Sequence, residues 1–169
     1  MTDDGRFRCF WAASDPLMAK YHDEDWAVPC HEDAALFERL TLEAFQSGLA
    51  WRTILYKREA FVRAFEGFDI EKVASFNETD IERLLQDSSI VRHRKKIEAT
   101  IYNAGAILDI QGEHGSFDRF LWAMAGQNEE VCRDFRRRFR FVGPTVCYSF
   151  LESVGMVNDH EPTCWRVTG

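Results

Sequence analysis

Apolar residues in this chain recur at every third or fourth position and almost nowhere at every second, and that periodicity constrains the fold more than any other feature. From about Glu32 to Ser47, Leu36, Phe37, Leu40 and Ala44 fall on one face of a helix. A half-buried strand needs strict alternation, and no period-2 run is long enough to supply one. The chain is therefore predicted to be all-α: a compact, loop-sparse helical domain.

Several helix ends are also legible. Ser14-Asp15-Pro16 provides a capping side chain and then a proline for the first turn, opening a short helix that carries Tyr21 and His22. Gly48 ends the helix that begins near Glu32. The spacing predicts a third helix from about Trp51 to Phe65, with Ile54, Leu55, Phe61, Val62 and Phe65 inward. Asn77 to Thr79 caps the segment D-I-E-R-L-L-Q-D, and after a tight connection another helix starts near Arg92 and runs towards Leu108. Further helices are predicted over about Phe117 to Ala125, Glu129 to Phe139 and Pro144 to Val154, and the stretch from Asn158 onward reads as a tail.

With 169 residues, a single domain over residues 1–169 is expected. A formal net charge of −7 counts against indiscriminate nucleic-acid binding. It leaves room for a local basic face, for which Arg92-His93-Arg94-Lys95-Lys96 and Arg136-Arg137-Arg138 with Arg140 are the candidates, although a solvated helix face is the ordinary reading of each. The start M-T-D-D-G-R-F-R-C-F-W lacks the pattern of a signal peptide. No stretch approaches the roughly 18 apolar residues of a membrane span. Five scattered cysteines, an odd number, do not resemble a secreted disulfide framework. A cytoplasmic protein with reduced thiols is expected, with Cys132 and Cys147 serving as small buried hydrophobes.

Two local arrangements carry chemistry. Near the C-terminus, V-N-D-H-E-P-T-C-W spaces His160 and Cys164 as two ligands of one tetrahedral zinc. The other half of such a site has to come from elsewhere, and Cys9 with His22 stand together near the N-terminus. Cys9, His22, His160 and Cys164 would form a closed Cys2His2 site, structural because no position is left for a catalytic water. Two free thiols and two unrelated histidines are the competing reading.

The second arrangement is a carboxylate on an apolar stripe. Glu43 follows Leu36 and Leu40 at helical spacing, where burial without a partner is costly. Gln46, Ser47 and Trp51 follow close behind, and polar groups beside an aromatic wall suit a ligand pocket. A glutamate at the edge of the stripe, bonded to an arginine or a helix end, would look the same in sequence.

The stretches R-C-F-W, S-D-P-L-M-A-K-Y-H-D-E-D-W-A-V-P and L-F-E-R-L-T-L-E-A-F-Q-S-G-L-A-W-R-T-I-L-Y-K-R, then L-L-Q-D-S-S-I-V-R-H-R-K-K-I and F-R-F-V-G-P-T-V-C-Y-S-F-L-E-S-V-G-M-V-N-D-H, occur in that order over nearly the whole chain. In them the chain resembles the 3-methyladenine DNA glycosylase I (Tag) family of base-excision repair enzymes. The resemblance implies a fold of the helix-hairpin-helix glycosylase superfamily, with the motif over about residues 78–108, and a structural Zn2+ held by Cys9, His22, His160 and Cys164 from the segments 9–22 and 160–164. It implies a base pocket formed by Trp11, Tyr21, Glu43 and Trp51, with Glu43 as the catalytic carboxylate. It further implies contact with the backbone of alkylated double-stranded DNA through Ser89, Ile90, Val91, Arg92, Arg94 and Lys95. The implied activity is monofunctional: the damaged nucleotide is flipped out, the N-glycosidic bond of 3-methyladenine is hydrolysed, and the strand is not cleaved. A monomer is expected.

The resemblance has departures. Ser89 occupies a hairpin position at which the family usually has glycine, so a positive φ there would be strained. The segment between Trp122 and Phe139 is short relative to the family, and Ala50 stands where a serine is common before the pocket tryptophan. A DNA-lesion binding protein with weak or absent catalysis is the alternative reading.

Overall fold

The computed structural model describes residues 4–167, so residues 1–3 and 168–169 of the expected domain lie outside the described residues. Ten α-helices are present among those described: α1 Pro16–Glu24, α2 Asp33–Gln46, α3 Trp51–Tyr56, α4 Arg58–Ala64, α5 Ile70–Ala74, α6 Glu78–Gln86, α7 Arg94–His114, α8 Phe117–Trp122, α9 Asn128–Arg138 and α10 Pro144–Ser153. Short 3-10 turns cover Phe10–Ala12 and Glu66–Phe68, and no strand occurs among the described residues. The all-α expectation holds.

The caps act as their chemistry requires. The Asp15 carboxylate accepts from the Leu17 and Met18 amides, and Pro16 occupies the first turn of α1. Asn77 and Asp80 form a reciprocal capping box on α6. His93 caps α7 by accepting from the Lys96 amide, so this helix begins at Arg94 and continues to Gly115, where φ is +90°. The predicted helix over residues 51–65 is instead two, separated at Lys57. No breaker residue marks the division. Arg58, the first residue of α4, is bound by tertiary contacts to Glu38 at 2.5 Å and Asp25 at 3.1 Å.

The main core is rich in phenylalanine: Phe37, Phe45, Phe61, Phe65, Phe68, Phe117, Phe135 and Phe150 are fully buried. A second, smaller cluster lies between the N-terminal segment and α3, made of Cys9, Met18, Tyr21, Trp26, Leu55 and Cys164 with Trp11 and Trp51 against it. Gly155 fixes how α10 meets this region. It has a φ of +84°, and a Cβ there would come within 2.6 Å of the Pro29 nitrogen. Just beside it the Cys30 amide donates to the Val154 carbonyl at 3.0 Å.

Cys132 and Cys147 are joined in a disulfide between α9 and α10. This corrects the expectation of reduced thiols throughout: Cys9, Cys30 and Cys164 are free, whereas the two cysteines read as small hydrophobes form a covalent link. Spacing alone cannot show pairing, because their approach is created by the packing of α9 on α10. No helix is long and apolar enough to cross a membrane among the described residues.

Candidate base pocket and metal cluster

The tail beyond Asn158 is irregular, but it is packed. The Trp165 amide donates to the Phe7 carbonyl, the Phe10 amide to Glu161, and the Arg166 guanidinium to the carbonyls of His22 and Trp26. These bonds bring the two ends of the chain together. Ligand atoms of Cys9, His22 and Cys164 lie within 4.8 Å of one another, all three residues buried. His160 stands beside them, its ring centroid 5.0 Å from that of His22.

The orientation of both imidazoles suits a metal. Nδ1 of His22 is 2.8 Å from Asp23, and Nδ1 of His160 is 2.6 Å from Asn158, so each ring donates there and turns the Nε2 lone pair inward. Nε2 of His160 is buried without a partner, and Nε2 of His22 lies 3.4 Å from the Cys164 sulfur. Burial pushes His160 down to about 4, keeping it neutral as a ligand must be, and raises the Cys9 thiol to about 11. A tetrahedral ion with bonds of about 2.0–2.3 Å fits a donor set of this span and chemistry. Three of the four residues expected from the spacing, Cys9, His22 and Cys164, therefore meet in one place, and the His160 ring lies beside them.

Trp11, Tyr21, Glu43 and Trp51 also converge. With Met18, Trp26, Gln46, Ser149 and Glu152 they line a cavity of about 230 Å³. Trp51 opens α3, Tyr21 lies on the buried face of α1, and their rings are 5.3 Å apart. Trp11 comes from the first 3-10 turn and packs edge-on against Trp26 at 5.2 Å. The Tyr21 hydroxyl and the Trp51 Nε1 are both buried without a hydrogen-bond partner. Such groups are rare in a packed interior and mark a place for a polar ligand.

Glu43 is 7 % exposed, so the unfavourable position read from the sequence is real. Desolvation, with repulsion from Glu152 added, pushes its carboxyl up to about 8. The alternative of a direct arginine partner is not realised. Arg39, one turn earlier, gives its Nη1 to the carbonyls of Ser153 and Asp25 and its Nη2 to the Asp25 carboxylate. It acts on Glu43 only through charge. Sequence reasoning missed Trp26, Ser149 and Glu152 as pocket residues. The last two lie on α10, more than a hundred positions from Glu43, and no local pattern connects them to it.

The connection between α6 and α7 spans residues 87–93. Ser89 is not among the residues with positive φ, so the feared strain is absent. Its amide donates to the Asp87 carboxylate at 2.9 Å, and its hydroxyl bonds the same oxygen. The Ile90 amide points back to the Asp87 carbonyl at 3.4 Å. Two of the expected phosphate donors are thus engaged within the turn, and the Ile90 side chain is buried. Arg92 and Lys95 are exposed, while Arg94 pairs with Glu78 and Glu98. Lys96 belongs to the interior: its ammonium donates to the carbonyls of Phe45 and Ser47, both at 2.8 Å, and closes the C-terminal end of α2 beneath the pocket.

The sequence matches the Methyladenine glycosylase family over residues 11–137 and 126–167. The two matched stretches share residues 126–137, at the segment expected to be short. It is 40% identical to DNA-3-methyladenine glycosylase 1 of Escherichia coli (strain K12), covering 93% of this chain and 95% of that protein. It is 34% identical to DNA-3-methyladenine glycosylase of Haemophilus influenzae (strain ATCC 51907 / DSM 11121 / KW20 / Rd), covering 93% and 96%. A solved structure of 3-methyladenine DNA glycosylase I (TAG) from Staphylococcus aureus, described for its recognition of 3-methyladenine, superposes with a TM-score of 0.87 at 36% identity, covering 93% of this chain and 94% of that one.

Proposed function

Since the chain belongs to the methyladenine glycosylase family, we propose that it removes 3-methyladenine from alkylated double-stranded DNA by hydrolysing the N-glycosidic bond. The observation that carries this reading is the cavity itself: an aromatic box lined by a buried carboxyl, with two buried donors lacking partners, Tyr21 Oη and Trp51 Nε1, on the residues of its wall. An adenine methylated at N3 is flat and cationic. Aromatic faces attract it by cation–π interaction, and its charge favours the ionised form of the Glu43 carboxyl, which then accepts from the base edge. Neutral adenine gains less from both.

The nucleotide reaches the cavity by extrusion from the duplex. Its positive charge makes the base a good leaving group: the bond between C1′ and N9 breaks with its electron pair going to N9, which leaves the base neutral. Water then bonds to C1′ and releases a proton. Glu43 stabilises the cationic character of this passage at short range in a water-poor site. No lysine takes part, so the strand stays intact.

The α6–α7 turn holds the DNA backbone, with Arg92 and Lys95 supplying charge. The amides of Ser89 and Ile90 contribute less than the family pattern implies, because Asp87 already engages them. Cys9, His22, His160 and Cys164 hold a structural Zn2+. The test is chromatography of bases freed from methylated duplex DNA by the purified protein. Selective release of 3-methyladenine is expected, whereas tight binding to the lesion without release would support the lesion-binding alternative.

A further inference from the structure

Phe141, in the link between α9 and α10, leaves a large apolar side chain in water: it is 41 % exposed. Its backbone φ is +55°, in the left-handed region that a phenylalanine adopts only at a cost. The fold imposes this conformation from both sides. The side chain of Asn103, buried on α7, accepts from the Arg140 amide at 2.8 Å and donates to the Arg140 carbonyl at 3.0 Å. Past the bend, Val142 is buried and Pro144 opens α10. A bend that only joined two helices would gain from asparagine or glycine here, which relieve the strain and remove the exposed ring together. Strain kept at such a position points to function.

The neighbours of the bend indicate what covers it. The Phe141 ring lies 6.1 Å from that of His93, which caps α7 and ends the α6–α7 connection. Arg140 is exposed, and its guanidinium lies 3.8 Å from the centre of the Tyr102 ring. A guanidinium stacked by its face keeps its edge donors for an anion. In the other direction α10 leads from the bend to Ser149 and Glu152 at the cavity. At 1.5 Å per residue this helix covers about 15 Å, roughly four nucleotide steps of a strand. The bend therefore flanks the proposed phosphate contact on one side and the cavity on the other.

On the glycosylase reading above, we propose that the bend at Arg140 and Phe141 is a second contact with the duplex, in which the Phe141 ring packs on the deoxyriboses beside the flipped nucleotide and Arg140 bonds the adjacent phosphate. The sugars are the apolar part of the DNA backbone, and a ring already fixed in place packs on them with little ordering cost. The contact reads no sequence. It offsets the donors that Asp87 withdraws from the α6–α7 turn by engaging the amides of Ser89 and Ile90.

Phe141→Asn, Phe141→Tyr and Arg140→Gln are compared with wild type for binding of undamaged duplex DNA, by fluorescence anisotropy between roughly 50 and 200 mM salt, and for melting temperature by calorimetry. Asparagine accepts the left-handed conformation. Phe141→Asn should therefore melt no lower than wild type, yet bind duplex about tenfold more weakly, the scale of one partly buried ring. Its salt slope should not change, because no phosphate contact is lost. Phe141→Tyr keeps the ring and should bind within about threefold of wild type. Arg140→Gln should weaken binding and reduce the salt slope by about one phosphate contact. Wild-type affinity in Phe141→Asn overturns the proposal. So does an affinity that falls together with the melting temperature, which would make Phe141 a packing residue. A wild-type protein that binds no duplex at any of these salt concentrations is a different result: it removes the glycosylase reading, and the second contact falls with it.

Discussion

Glu43 shows at the scale of one residue how a site works against its own fold. Its carboxyl has a folded-state pKa of about 8 against an ordinary value of 4.5, and Glu152 stands at about 7. The folded chain therefore binds more protons than the unfolded chain between those values. By linkage, the stability from these groups is fully present below the ordinary carboxylate pKa and is lost as pH rises towards 8. Each unit of difference corresponds to about 1.4 kcal/mol. Glu43→Gln should accordingly flatten the pH dependence of the melting temperature and raise it more at pH 8 than at pH 5, as read by calorimetry. The same variant should lose about 10²-fold or more in kcat/KM for excision, the usual scale for removing one electrostatic contact to a transition state. A variant that loses activity and stability together at pH 8 would show Glu43 to be a packing residue.

Among the elements, the link between α9 and α10 matters most for the pocket, because α10 carries Ser149 and Glu152. The disulfide closes a loop of sequence separation 15, for which chain-entropy arguments give about 3 kcal/mol. Cys132→Ser should lower the melting temperature, at roughly 2–4 °C per kcal/mol for a chain of this size, and reductant should do the same to wild type but not to the variant. An identical melt with and without reductant would mean that the thiols stay reduced. This link also marks the limit of what sequence reveals. Local signals were legible: Asp15 and Pro16 opening α1, the Asn77 cap and the apolar stripe of α2. Features created by distant packing were not, among them the break at Lys57, the pairing of Cys132 with Cys147, the burial of Lys96 under α2, and the place of Glu152 in the cavity lined by Glu43. The short α5 was missed because five residues carry too little periodicity to be distinguished from a loop.

At the scale of the whole molecule, the proposed function asks a chain of net charge −7 to hold a polyanion, and the proposed α6–α7 face answers it locally. Arg92→Ala together with Lys95→Ala should weaken binding to undamaged and methylated duplex alike and flatten the dependence of affinity on salt by up to about two phosphate contacts. An unchanged salt slope would move the DNA face elsewhere. The proposed metal poses the complementary problem of closure. The pocket wall formed by Trp11, Tyr21 and Trp26 belongs to the same small cluster as Cys9 and Cys164, so the ends of the chain support the site directly. Hydrogen bonds such as Trp165 to Phe7 and Phe10 to Glu161 already join those ends, and loss of the proposed ion should therefore loosen the cluster without unfolding the main core. His160→Ala should remove the bound zinc, lower the melting temperature by about 5 °C or more, and speed hydrogen exchange in residues 9–26 while leaving α7 protected. Elemental analysis and exchange on the same samples separate the outcomes. Full zinc content in His160→Ala would remove His160 from the ligand set, and zinc loss without faster exchange at the N-terminal segment would show that the ion does not brace the pocket.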